Sequence, residues 1–176
     1  VLPEGEEPRI LQAAKRIVKE TDVTPVLLGN PDKIGIYLEI EGVLEGYEVI
    51  DPHSYSGFEE MVTSLVERRK GKMTEEEARQ ILLDDVNYFG VMLVHLGIVD
   101  GMVSGAIHST AATVRPALQI IKTRPNVKRT SGAFLMVRGS ERYLFGDCAI
   151  NINPDAEGLA EIAINSAITA KMFGID

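Results

Sequence analysis

Apolar residues in the first fifty positions recur with two different periods, which predict helices alternating with short strands. The helical period covers residues 10–18, where these side chains form one stripe: Ile10, Leu11, Ala14, Ile17 and Val18. Shorter, mainly apolar runs at 24–28 and 47–50 end in Gly29-Asn30-Pro31 and Asp51-Pro52. Because such turn residues stop a regular element, the first run predicts a short buried strand and the second predicts another strand.

Helical patterns dominate the next part of the chain. The stretch 32–46 predicts a short helix followed by a loop, and 57–70 predicts a longer helix with one apolar face. Thr74 and Glu77 have the spacing of a capping box, so a further helix is expected to begin there. The range 86–96 is apolar almost all round, which predicts a buried helix.

A strand at 99–104 and a helix at 113–123 complete this part of the pattern. Strands that alternate with helices indicate a parallel sheet covered by helices on both faces, so the fold class is α/β. The pattern then changes, because two mainly apolar runs, 130–138 and 142–150, flank a short turn that contains Gly139-Ser140. This spacing predicts a hairpin rather than a crossover.

The change of pattern predicts two domains. We expect residues 1–126 to form an amino-terminal α/β domain that carries an anion-binding loop. Residues 127–176 then form the beginning of a second α/β domain, with a long helix that starts after Asp155. Cys148 is interpreted as a small buried hydrophobic residue in the second strand of the hairpin.

The charge distribution narrows the possible partners. The chain has 176 residues and a net charge of −8, which disfavours nucleic-acid binding. Residues 101–140 nevertheless contain six basic and no acidic side chains, and a second basic run covers 68–72. These runs indicate either a local anion site or a solvated basic face. No apolar run approaches the ~20 residues that span a bilayer, and a single cysteine favours a reducing, cytoplasmic location.

The most informative segment is the loop 100–117, which follows a predicted strand and enters a predicted helix. Thr113 is expected to cap that helix, with Pro116 in its first turn. A helix amino terminus attracts phosphate through its free N–H groups and its dipole. Hydroxyl and guanidinium groups in the same segment would add donors. The candidate phosphate-binding residues are therefore Ser104, His108, Ser109, Thr110, Thr113 and Arg115.

The same segment has a plainer interpretation as a helix cap with ordinary turn residues. It is not a Walker loop, because the glycine spacing and the lysine of that motif are missing. His108 by itself is more often a hydrogen-bonded structural residue than a catalytic base. With three histidines and one cysteine scattered along the chain, no metal site is expected.

Ser104-Gly105-Ala106-Ile107-His108-Ser109 is followed by Thr113-Val114-Arg115-Pro116-Ala117-Leu118-Gln119-Ile120. This sequence resembles the signature of the phosphate acetyl/butyryltransferases. The resemblance extends over nearly the whole chain, in the same order, through these further stretches: Leu2-Pro3-Glu4-Gly5, 97–101, 131–136 and 145–150.

The resemblance implies a fold like that of isocitrate dehydrogenase, with a three-layer αβα parallel-sheet domain, the start of a second α/β domain and a cleft between them. It implies acetyl transfer between acetyl phosphate and coenzyme A, with both as substrates. It implies no metal or organic cofactor, and a homodimer at full length. In this family a carboxylate takes the thiol proton of coenzyme A, and the thiolate attacks acetyl phosphate.

Two arginines match the family's motifs. Arg115 matches the arginine of the Thr-x-Arg-Pro element, and Arg69 matches a helix-end Arg-Lys element, although adjacent Arg68 leaves that register open by one. Both matches imply binding to anionic groups of coenzyme A or acetyl phosphate. Ala112 departs from relatives that often carry Asp at this position.

The family's catalytic carboxylate lies late in its full-length sequences, so no general base is assigned among these 176 residues. We therefore expect the chain alone to catalyse little transfer. Two alternatives remain open. One is a phosphate butyryltransferase, which differs in its acyl pocket. The other is a non-catalytic domain that senses acetyl-CoA, as in the part of some malic enzymes that resembles this family.

Overall fold

The computed structural model describes residues 1–42, 45–125 and 127–175. The described residues form a mixed α/β protein with seven helices, four strands and a parallel strand pair. The chain divides into two compact units, Val1–Lys122 and Thr123–Asp176. The domain boundary at 126 stays a prediction, and Asn126, together with Val43 and Leu44 of the predicted 32–46 stretch, lies outside the described residues.

The first unit is built around a small parallel sheet. Strands β1 (Val26–Leu28) and β2 (Glu48–Ile50) pair in parallel, and Leu2 forms a parallel bridge to Leu27 on the other side of β1. The predicted strand at 99–104 is instead irregular chain. The Val103 N–H donates to the Val1 carbonyl at 3.1 Å, and the Gly101 carbonyl accepts a hydrogen bond from the Val1 amino group. These two bonds to one residue are too few to form a regular ladder.

Six helices belong to this unit, and their bounds are as follows: α1 Pro8–Glu20, α2 Pro31–Ile40, α3 Phe58–Arg69, α4 Glu75–Asp84, α5 Val86–His95 and α6 Thr110–Ile120. Neighbouring residues of β1 belong to two different apolar clusters. Leu27 packs with side chains of α1 and α2, whereas Leu28 packs with side chains of α3 to α6. Because side chains alternate along a strand, the two clusters lie on opposite faces of the sheet.

The second unit contains the predicted hairpin and helix. Strands β3 (Ala133–Arg138) and β4 (Glu141–Gly146) pair antiparallel, and α7 (Ala156–Met172) is capped by the Asp155 side chain. The interpretation of Cys148 was wrong in two respects. This residue follows β4 rather than lying in it, and it is half-buried.

Asp147 organises the turn that follows β4. Its carboxylate accepts hydrogen bonds from the backbone N–H groups of Gly132, Ile150 and Asn151 and from the Asn151 side chain. Burial opposes its ionisation, but these bonds outweigh burial and hold the pKa of Asp147 well below its usual range. The carboxylate therefore ties the two ends of the hairpin together.

The capping box at α4 is present, as the sequence predicts. Thr74 accepts a hydrogen bond from the Glu77 N–H at 3.2 Å, and Glu77 accepts one from the Thr74 N–H at 2.8 Å. Thr74→Ala removes one of these acceptors and is expected to lower the free energy of unfolding by about 1 kcal/mol. Urea denaturation followed by circular dichroism measures this change, and an unchanged midpoint would contradict the role of the cap.

Candidate functional site

The loop that precedes α6 closes around a carboxylate of the protein itself. Glu4 is 4% exposed, and its carboxylate accepts hydrogen bonds from four consecutive backbone N–H groups. The N–H groups of Gly105 and Ala106 reach Oε2 at 3.1 and 2.8 Å, and those of Ile107 and His108 reach Oε1 at 2.8 and 3.0 Å. These four amides therefore hold an internal anion, not a free cradle for phosphate.

His108 adds a fifth bond to the same carboxylate. Its Nδ1 lies 2.7 Å from Glu4 Oε1, and the Glu4 side chain is fully buried. Burial opposes the ionisation of Glu4, but the bonds from Ile107, His108 and Ala106 outweigh burial and lower its pKa to about 2. Glu4 is thus ionised at neutral pH.

Helix α6 begins earlier than the sequence analysis predicts. Ser109, not Thr113, is the cap, because its side chain accepts a hydrogen bond from the Ala112 N–H at 3.3 Å. Pro116 consequently lies inside the helix rather than in its first turn. Thr113 was attractive as a cap because it precedes Pro116 by three residues, but its hydroxyl instead donates to the Ser109 carbonyl.

The candidate loop residues separate into two groups by what their polar atoms contact. The hydroxyls of Ser104 and Thr113 and the ring of His108 all bond other groups of the protein. Ser104 donates to Asn87 Oδ1, and Asn87 is completely buried. In contrast, Ser109, Thr110 and Arg115 are exposed, and the Ser109 oxygen that caps α6 leaves its hydroxyl proton free to donate. The first backbone N–H groups of α6 have no acceptor within the helix, so they add hydrogen-bond donors beside Ser109.

Arg69 and Arg115 approach the same tyrosine from different helices. Tyr88 in α5 is buried, and its hydroxyl donates to Gln119 Oε1 at 2.7 Å. Burial raises the pKa of Tyr88, and the positive charges of Arg69 and Arg115 partly oppose this rise. The two arginines that the motifs select therefore converge on one region of the first unit, although they lie far apart in sequence.

The structure distinguishes Arg68 from Arg69. Arg68 donates to the carbonyl oxygens of Ile120 and Ile121, which are among the unsatisfied acceptors at the carboxyl end of α6. Arg69 Nε is buried and has no hydrogen-bond partner among the described residues. Arg68 therefore joins α3 to α6, whereas no hydrogen bond among the described residues holds Arg69 in this way.

The two basic runs of the sequence meet around Lys122. Its pKa is lowered mainly by Arg68 and also by burial, Lys70, Arg69 and Lys72. The positive charges of residues 68–72 and of the end of α6 therefore lie close enough to repel one another. Such a cluster lowers the cost of bringing a polyanion to this surface.

A cavity of about 400 Å³ lies at the other end of the loop and has a different character. His108 and Ile107 line it, and so do four carboxylate residues: Glu4, Glu6, Glu7 and Asp84. This lining disfavours phosphate. Within residues 1–42, 45–125 and 127–175, no group of three or more His, Cys, Asp or Glu is placed to hold a metal ion. In the same ranges no helix is long and apolar enough to cross a membrane.

Several residues of this site had no signal of their own in the sequence. Glu4, Asn87, Tyr88 and Gln119 are common residue types within elements that looked structural. In the sequence, Glu4 is distinguished only as part of the stretch Leu2-Pro3-Glu4-Gly5 that matches the family. Asn87 is a polar residue in an otherwise apolar helix, and such a residue needs a hydrogen-bond partner when it is buried. This was the one sequence feature that could have indicated its contact with Ser104 at the start of the loop.

These features define an α/β protein with a parallel strand pair, an anchored loop before α6 and a paired-arginine surface. The family model described as phosphate acetyl/butaryl transferase matches residues 1–176. The chain belongs to this family.

Individual relatives agree with this assignment. The chain is 56% identical over 177 residues to the phosphate acetyltransferase of Bacillus subtilis, covering all of this chain and 54% of the relative. A solved phosphotransacetylase from Streptococcus pyogenes superposes with a TM-score of 0.94 at 55% identity, over 99% of this chain and 54% of that one. The EutD phosphotransacetylase from Staphylococcus aureus gives 0.89 at 53% identity, over 99% and 53%. The chain thus spans about half the length of these relatives.

Proposed function

We propose that this chain forms the part of a phosphate acetyltransferase that binds coenzyme A and the phosphate-bearing substrate. The observation that carries the proposal is that Arg69 at the end of α3 and exposed Arg115 on α6 both lie near Tyr88 of α5. The Tyr88 hydroxyl bonds Gln119, one turn beyond Arg115 on the same helix. Coenzyme A is a polyanion with a long, partly apolar body. A surface that combines two guanidinium groups with a neighbouring lysine cluster matches its phosphates in charge and in hydrogen-bond donors.

The proposed reaction moves acetyl between coenzyme A and phosphate. In the direction of acetyl-CoA synthesis, the coenzyme A thiol loses its proton to a base and the sulfur attacks the acetyl carbon of acetyl phosphate. The carbon–oxygen bond to phosphate then breaks, and phosphate leaves with the electron pair. A thiol with a pKa near ~8.5 is mostly protonated at neutral pH, so a base is required. Donors at the phosphate stabilise the charge that develops there.

This chain contributes anion-binding groups to that reaction. Exposed Ser109 and Thr110, with the amino terminus of α6, supply donors for a phosphate oxygen. Arg115, on the same helix, supplies a charged contact. No residue of this chain is assigned as the base, which in the family is a carboxylate late in the full-length sequence.

The finer features of the family complete the proposal. We propose an isocitrate dehydrogenase-like fold, with a three-layer αβα first domain over residues 1–126 and an α/β second domain from residue 127. The separate apolar clusters around Leu27 and Leu28 support the three-layer arrangement. A homodimer, a cytoplasmic location and catalysis without a metal or organic cofactor belong to the same proposal.

Coenzyme A binding to matched arginine variants tests the assignment. Arg69→Ala is expected to weaken binding at least tenfold and to leave the unfolding midpoint unchanged, because Arg69 Nε bonds no other described group. Arg68→Ala is expected to lower the free energy of unfolding by about 1–3 kcal/mol, because the carbonyls at the end of α6 lose their partner. Calorimetric titration with coenzyme A measures the first change, and urea denaturation measures the second.

The two variants control for each other. If Arg69→Ala bound coenzyme A as the unmodified chain does, the proposed role of this surface would be wrong. If only Arg68→Ala lost affinity for coenzyme A, the contact with coenzyme A would belong to Arg68 and not to Arg69.

A further inference from the structure

Glu4 makes contacts that go beyond local stability. Its five hydrogen bonds all come from residues 105 to 108, about a hundred positions later in the sequence. Arg9 adds a second tie, because its guanidinium donates to the Ala106 carbonyl at 2.9 Å. The turn after Leu2 and the first turn of α1 therefore hold the loop from which α6 and the candidate phosphate donors begin.

The bond to His108 fixes which ring nitrogen carries the proton. Ionised Glu4 can only accept hydrogen bonds, so His108 Nδ1 must be the donor across the 2.7 Å contact. Free histidine in water prefers the opposite tautomer, with the proton on Nε2. In the neutral ring held by Glu4, Nε2 is therefore an acceptor, and the ring lines the carboxylate-rich cavity.

We propose that Glu4 is a positioning residue for the substrate loop: it fixes the backbone of residues 105–108 and orients His108 so that Nε2 is the nitrogen available to the substrate. This inference rests on the proposed function for the identity of the substrate. It assigns the two ends of the loop different tasks. Ser109 and Arg115 meet the phosphate, whereas His108 meets a hydrogen-bond donor such as a thiol or hydroxyl of coenzyme A.

Nitrogen-15 NMR of the histidine rings tests the positioning role directly. In the unmodified chain at pH 7.5, the two-bond proton–nitrogen spectrum is expected to show His108 with its proton on Nδ1. In Glu4→Gln, the spectrum is expected to shift toward the Nε2-protonated form, and amide exchange at 105–108 should become at least tenfold faster. His53 and His95 serve as internal controls, and their tautomers should not change.

Two results would overturn the proposal. One is an unmodified chain in which His108 carries its proton on Nε2. This measurement does not need the variant, so it tests the proposal even if Glu4→Gln does not fold. The other is a folded Glu4→Gln variant with the same His108 tautomer and the same amide exchange at 105–108 as the unmodified chain.

A titration with coenzyme A separates this inference from the proposed function. If the unmodified chain binds coenzyme A, folded Glu4→Gln is expected to bind it about tenfold more weakly, and equal affinity would remove the link to the substrate. If the unmodified chain shows the Nδ1-protonated His108 but binds no coenzyme A, the proposed function fails while the anchoring of the loop by Glu4 stands.

Discussion

Gly5→Ala is expected to destabilise the first unit by about 3 kcal/mol, a large effect for the addition of one methyl group. A Cβ at this position would lie 2.4 Å from the backbone oxygen of Leu28 and 2.9 Å from its nitrogen. Leu28 is in β1 and buried, so its backbone cannot move aside without disturbing the sheet. The turn would have to shift instead, and with it the adjacent Glu4.

Gly35→Ala provides the matched control. Gly35 lies inside α2, and nothing lies within 4 Å of the position that its Cβ would take. Alanine there is expected to stabilise the chain by roughly 0.5–1 kcal/mol, because glycine loses more backbone freedom in a helix. Urea denaturation of both variants measures whether the free energy of unfolding falls for Gly5→Ala and rises for Gly35→Ala. Equal midpoints for Gly5→Ala and the unmodified chain would contradict the close approach of the turn to β1.

Acidification is expected to remove about 3 kcal/mol of stability through Glu4 alone. The pKa of this carboxyl falls from an ordinary value of 4.5 to about 2 in the folded chain. A depressed carboxyl pKa stabilises the folded state above the unfolded pKa. That contribution is therefore complete above pH 4.5 and is lost progressively as the pH falls toward 2. Denaturant unfolding of the first unit between pH 6 and pH 2.5 measures the slope.

Two carboxylate variants isolate the contribution of Glu4. Glu4→Gln is expected to be less stable at pH 6 and to lose much less further stability on acidification. Glu39→Gln changes an exposed carboxylate of α2 and should keep the slope of the unmodified chain. If all three proteins lost stability in parallel, the anchored carboxylate would not be the source of the acid sensitivity.

The elements of the fold were largely predictable because each depends on local pattern. The Thr74 and Glu77 capping box, the buried α5 and the hairpin at Gly139 all follow from spacing and residue type over a few positions. The cap of α6 was predicted four residues late, at Thr113 instead of Ser109. Thr113 before Pro116 has the form of a cap, and only the hydrogen bond to Ser109 shows which hydroxyl is used.

The candidate site was less predictable because its decisive contacts join distant segments. The amides of 105–108 were expected to bind a ligand, and nothing near them in sequence indicates that Glu4 binds them instead. Likewise, adjacent Arg68 and Arg69 are equivalent in the sequence. Their roles separate only when the end of α6 is placed beside α3.

The hairpin of the second unit has a practical consequence for work with this chain. Its strands carry exposed apolar side chains on both faces, including Phe134, Val137 and Phe145 at 56, 62 and 58% exposure. Among the described residues each strand pairs only with the other, so both outer edges retain free N–H and carbonyl groups. Exposed apolar faces next to unpaired strand edges favour strand-to-strand association between molecules. Dilute solutions and low temperature will therefore give the cleanest measurements of a single copy.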